Sequence, residues 1–212
     1  MRWRACALLL LVTYPAAAVI IDRIAIVVGN SIIKDSDIDR DIRVTDFLNS
    51  DALNLSNDAR KKAASRLIDQ GFIHREILMG DYPMAGVQEA DDQLNKITKE
   101  RFHNGAALNE ALRRYGLSEA DLRSHFQWQL TVLRFIDARF RPAAYVSDDE
   151  IESYLRAHES ALRGQYPNKD EAELRDEVRN ILAGEKINQL FFAWLDEQRK
   201  STKVKYYEES LR

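Results

Sequence analysis

The sequence predicts a mainly α-helical protein carrying one small antiparallel sheet. Three observations predict it: an apolar hairpin close to the N-terminus, a succession of amphipathic segments each opened by a capping residue, and a short alternating stretch near the C-terminus. Residues 20–28 form a β-branched apolar run interrupted only by Asp22 and Arg23. Gly29-Asn30 is a two-residue turn pair, and residues 31–34 resume the extended pattern, so residues 19–34 read as a tight β-hairpin. Ile38, Ile42 and Thr45 then recur at helical spacing, and either Asp35 or Ser36 is expected to cap that first helix, over residues 37–47.

Each following helix has a start and a stop. Ser56 opens the second, whose apolar face is expected to hold Ala59, Ala63, Leu67, Phe72, Ile73, Ile77 and Leu78, and Gly80 with Pro83 ends it. Residues 87–102 make a more polar helix with Val87, Leu94 and Ile97 inward, ended by Asn104-Gly105. Residues 106–115 form a short helix stopped by Gly116. Ser118 and Asp121 make a weaker capping box ahead of a long helix bearing Leu122, Phe126, Leu130, Leu133 and Ile136, which Arg141-Pro142 ends. Ser147 and Glu150 make a full capping box for a helix reaching about Leu162, and residues 164–169 form a loop. Residues 170–200 form the last long helix, with Leu174, Val178, Ile181, Leu182, Ile187, Leu190, Phe191, Trp194 and Leu195 inward. Residues 203–207 alternate like a strand. A hairpin alone is marginal in water, so this terminal strand is expected to join it and close a three-stranded sheet.

The first 18 residues carry an address. Arg2 and Arg4 form a positive n-region, residues 5–12 an apolar h-region, Pro15 breaks it, and Ala16-Ala17-Ala18 offers small residues before a cleavage point between Ala18 and Val19. The run is too short to span a bilayer, and Cys6 lies within it instead of at the cleavage point, so no membrane anchor is expected. Removing residues 1–18 would leave 194 of the 212 residues, one large domain or two small ones, and would take away the single cysteine. Losing Arg2 and Arg4 moves the net charge from −3 to −5, which argues against nucleic acid as a partner.

The order of these segments resembles SurA-type periplasmic chaperones. The likeness is carried by the hairpin VIIDRIAIVVGNSIIKDSDIDRD, by Leu67-Ile68-Asp69-Gln70 with Ile73, and by the segment from Gly116-Leu117-Ser118 to Arg134. AAYVSDDEIESYL at residues 143–155, and Glu185-Lys186-Ile187-Asn188 with Trp194-Leu195 and Lys203-Val204, carry the rest. The resemblance implies a multi-helix chaperone module of the SurA N-terminal and trigger-factor C-terminal type. It would comprise an N-terminal helical part (19–146) and C-terminal helices with a closing strand (147–212). In that family, parvulin-type prolyl isomerase domains lie between the leaving segment and the C-terminal helix. Here Leu155 and Asp170 are separated only by a helix end and a loop, and none of the 8 glycines forms a Gly-Gly pair. The resemblance therefore implies the chaperone module without the isomerase.

Catalytic patterns are weak. His74, His103, His125 and His158 have no metal-binding spacing and are expected on polar faces or helix ends. Adjacent acidic pairs such as Asp91-Asp92 and Asp148-Asp149 do not face one target on a helix. There is no nucleophile elbow, P-loop or dinucleotide fingerprint, so no cofactor is expected. Aromatic side chains offer the sharper candidates. Trp128, Phe135 and Phe192 are expected to line a groove for extended, aromatic-rich polypeptide, together with Phe140, Phe191 and Trp194. Phe126, Phe191 and Trp194 fall on apolar stripes and fit a core equally well, whereas Trp128 and Phe192 fall off them. The expectation is an ATP-independent periplasmic chaperone for unfolded exported, outer-membrane proteins. The alternatives are a prolyl isomerase by family inheritance and an adaptor with one dedicated partner. Strand exchange at either terminal strand would give a homodimer.

Overall fold

The computed structural model describes residues 22–207 together with Leu211, so the expected signal segment and its Ala18–Val19 cleavage point lie outside the described residues. Two strands open the described part of the chain, β1 (Ile24–Val28) and β2 (Ser31–Lys34), paired antiparallel with Val28 opposite Ser31 and Ile26 opposite Ile33. Gly29 takes φ +56° at the first turn position, a conformation that costs glycine little. The closing strand β3 (Val204–Tyr206) pairs with the other edge of β1, Ile26 opposite Tyr206, giving the order β2-β1-β3. Tyr207 N–H donates to Ala25 O at 2.8 Å and continues that pairing by one residue.

Strand passes into helix without a gap. Helix α1 runs Asp35–Asn49, so Lys34 is its cap residue in place of the expected Asp35 or Ser36. The reason is local: the Asp37 carboxylate accepts from Lys34 N–H at 3.0 Å, while the Ser36 N–H and O–H both donate to Asp22. Ser36 thus fastens the start of the hairpin to the start of the helix.

Helix α2 (Asn57–Met79) opens on Ser56, which accepts from Ala59 N–H, and closes at Gly80. Helix α3 (Val87–Ile97) widens into a π-turn at Thr98–Phe102. Helix α4 (Gly105–Tyr115) ends on Gly116 at φ +65°. Helix α5 (Glu119–Phe140) carries the expected Ser118–Asp121 capping box and stops in a 3-10 turn at Arg141–Ala143. Helices α6 (Asp148–Gln165) and α7 (Glu171–Ser201) open on the reciprocal boxes Ser147–Glu150 and Asp170–Glu173. The protein is therefore mainly helical with one three-stranded antiparallel sheet.

Burial is organised in three apolar clusters among the described residues. The largest joins the sheet (Ala25, Ile26, Val28, Ile33) to α1 (Ile38, Ile42), α2 (Phe72, Ile77), the end of α5 (Phe135, Phe140) and the second half of α7 (Ile187, Phe191, Leu195). A second lies under Val44 and Phe47 of α1, Leu94, Leu108, Leu112, Leu117 and Leu122. The third holds Ile151 and Leu162 of α6 against Leu174 and Val178 of α7. Helix α5 serves the second cluster at its start and the first at its end, so its buried face rotates along its length. Leu122, Thr131, Phe135 and Phe140 are inward, while Leu133, expected inward, is 62% exposed. Leu78 departs likewise, exposed at the end of α2.

Candidate functional site

A trough crosses the face where α1, α2, α5 and the second half of α7 meet, beginning at β2. It consists of two adjoining cavities, about 580 Å³ beside the sheet and about 680 Å³ beside α7. Asp41, Gln70, His125 and Trp128 line both, so these four side chains form the saddle between them. The sheet-side cavity is walled by Ile32 and Ile33 of β2, Val44 of α1, and Leu67 and His74 of α2. The other is walled by Ile73 of α2, Val132 and Leu133 of α5, and Phe191, Phe192 and Leu195 of α7.

Helical geometry explains the saddle. His125, Trp128 and Val132 stand three and four residues apart on α5, hence on one face. Gln70 and His74 do the same on α2. The His74 and Trp128 rings meet across the trough at 5.9 Å between centroids.

Of the three aromatic candidates, two reach this surface and one does not. Trp128 is half-buried at the saddle, leaning on the main cluster. Phe192 is 60% exposed on the α7 wall, its ring 5.4 Å from that of Phe191. Phe135 is corrected: it is 0% exposed, held edge-on between Tyr82 (5.0 Å) and Phe140 (5.9 Å), with Trp194 at 5.5 Å. The rotation of the α5 buried face turns Phe135 into the core and Leu133 out of it. Phe140, expected in the groove, is corrected as well: it is buried beside Phe135 and lines neither cavity, whereas Phe191 is buried as its apolar stripe allows, and Phe126 and Trp194 are partly buried.

The polar floor escaped the sequence. Asp41 accepts from Arg66 Nε at 2.9 Å, and a second bond from the same guanidinium makes the pair two-pronged. Burial pushes the Asp41 carboxyl up, and Arg66 opposes that shift. His125, expected on a polar face, is instead half-buried beside Asp41; burial holds its imidazole below the usual histidine range. Its Nε2 is buried and has no hydrogen-bond partner among the described residues. The only sequence signal for these groups was the spacing of His125 to Trp128, which by itself describes any helix face. Across the rim, Arg199 grips Asp69 with two bonds of 2.8 and 2.6 Å and ties α7 to α2.

Chemically this is a surface for holding. Large apolar side chains surround a few polar groups, Asp41 engaged with Arg66 and His125 Nε2 left without a partner among the described residues, an arrangement suited to reversible burial of apolar segments. Among the described residues, no group of three His, Cys, Asp or Glu side chains converges to hold a metal ion, and no helix is long and apolar enough to cross a membrane.

The fold is that of SurA-like chaperones. A solved chain from Campylobacter jejuni, one of the virulence factor PEB4 and the periplasmic protein Cj1289, described as two structurally related SurA-like chaperones, superposes with a TM-score of 0.54. The match covers 87% of this chain and 99% of that one at 14% sequence identity. No family model and no curated protein sequence matches the chain.

Proposed function

We propose that this protein is an ATP-independent chaperone of the periplasm that holds unfolded or partly folded exported proteins, outer-membrane proteins among them. The observation that carries the proposal is the open trough lined by Trp128, Leu133 and Phe192 in a SurA-like fold. Exposed apolar groups in one continuous depression offer binding without chemistry: a client buries aromatic and aliphatic side chains there and leaves when it folds or inserts. The secretion-signal pattern of residues 1–18 supports the compartment.

The test is suppression of aggregation. The purified protein, residues 19–212, is expected to lower the light scattering of an outer-membrane protein diluted from urea. Phe192→Ser combined with Leu133→Ser, both at exposed positions, is expected to lose most of that effect while keeping the helical circular dichroism. Equal scattering with and without the wild-type protein would refute the proposal. In a proline-tetrapeptide isomerisation assay the rate is expected to stay at background.

A further inference from the structure

The trough has one wall unlike the others, because β2 is an edge strand. It pairs with β1 on one side only, and among the described residues no strand covers the other. Lys34 N–H points away from β1 and is taken by the Asp37 carboxylate at 3.0 Å, whereas Asp35 N–H points back and donates to Arg23 O. Since backbone groups alternate sides along an antiparallel strand, the N–H and C=O of Ile32 face outward with Lys34 N–H. The Ile32 side chain is 55% exposed. Among the described residues nothing takes the outward backbone groups of Ile32, and an apolar residue on such an edge is what proteins ordinarily blunt with lysine, proline or a bulge; on β2 the one such device is Lys34, two residues on. Ile32 lines the cavity that leads to Trp128.

Charge selects among extended chains. The lining of the two cavities carries Asp37, Asp41, Asp69 and Asp121 against Arg40 and Arg66, so four negative charges against two positive ones leave −2, or −1 when Arg199, bonded to Asp69 across the rim, is counted. That field favours a segment with basic residues beside its apolar ones.

We propose that the client enters as an added strand: an extended, apolar segment with basic flanks pairs its backbone with Ile32 at the β2 edge. Its alternate side chains then descend into the trough toward Trp128 and Phe192. This mode rests on the chaperone reading above and deepens it, since backbone pairing provides affinity for any sequence while the trough selects apolar side chains.

The probe is a ten-residue peptide alternating Phe or Tyr with Thr, flanked by lysines, and binding is read by fluorescence anisotropy. Ile32→Pro removes the outward N–H without touching the ladder to β1, and is expected to weaken binding about tenfold or more. Ile32→Ala keeps the N–H and is expected to weaken it by no more than about threefold. Should the proline variant misfold, the same peptide N-methylated along its centre tests the wild-type protein and is expected to lose about tenfold. A glutamate-flanked version is expected to bind about tenfold more weakly at low salt. Equal losses from the two Ile32 variants, or equal affinity of methylated and unmethylated peptide, would overturn strand addition and leave the chaperone reading standing. Equal affinity of the lysine- and glutamate-flanked peptides would overturn the charge selection. If the wild-type protein binds neither the peptide nor an unfolded outer-membrane protein, the chaperone reading itself fails.

Discussion

Phe135 and Phe192 are the same side chain at opposite ends of the burial scale, and their variants are expected to behave oppositely. Phe135→Ala empties the centre of an aromatic cluster with Tyr82, Phe140 and Trp194, and is expected to cost about 3–5 kcal/mol in urea denaturation. Phe192→Ser removes an exposed ring and is expected to change stability by about 0.5 kcal/mol or less, while weakening client holding. A stripe read from spacing could not separate these two fates. Helical periodicity names the face of a helix, but α5 has different neighbours at its two ends, and only the packing shows where the face turns. Thr131 marks the turning point. It is buried because its hydroxyl accepts from Ala85 N–H at 3.0 Å and donates to Gln127 O at 2.8 Å, a long-range pairing that the sequence does not announce.

At the scale of elements, helix starts were the most legible part of the chain. Ser56, Ser118 and Ser147 all cap where the sequence places them, because a short side chain that accepts from an N–H two or three residues on is a local event, while Asp170, read as the first residue of the last helix, caps it instead. The Ser147–Glu150 box does more than start α6. Glu150 also receives Lys186 Nζ of α7 at 2.9 Å, and Lys186 donates to Tyr145 O at 2.6 Å, so one carboxylate joins two helices. The Lys186 and Ser147 hydrogen bonds hold its carboxyl at about 2, well below the ordinary 4.5. A lowered carboxyl pKa stabilises the fold at every pH above 4.5, and that contribution fades as the pH falls from 4.5 toward 2. A carboxyl titration followed by NMR is expected to place Glu150 near the bottom of that range in the wild-type protein, and close to 4.5 in Lys186→Ala with Ser147→Ala. A midpoint unmoved by the double substitution would exclude these partners as the cause.

Across the whole molecule, α7 is shared property. Its first half, with Leu174 and Val178, belongs to the cluster under α6, while its second half, with Ile187, Phe191 and Leu195, belongs to the cluster under the sheet. The α6 cluster is the smaller by far, and little else packs on α6. Native-state hydrogen exchange is therefore expected to show α6 and the start of α7 opening as a unit well below the global unfolding energy, with β1, α2 and the end of α7 exchanging last. Uniform protection across all of α7 would contradict that division. The sheet closing both ends of the chain was legible because a lone hairpin needs a partner and only one other alternating segment existed. The trough was legible as a set of candidate aromatics and not as a place, since it is made by five elements meeting and its floor of Asp41, Gln70 and His125 leaves no pattern in any one of them.

The pairing of β1 with β3 brings Tyr207 to Ala25, to which its N–H is bonded, only three residues from Asp22. The described polypeptide is in that respect nearly a ring, cut at a seam that packing already holds shut. Joining residue 212 to residue 22 through a glycine-serine bridge, so that the buried Leu211 is kept, and opening the chain anew between the exposed Pro167 and Asn168, is expected to give a permuted protein that folds. Order along the chain would then be separable from architecture, and the loop between α6 and α7 would become a pair of free ends, each still fastened nearby by Tyr166 or Lys169 to Glu177.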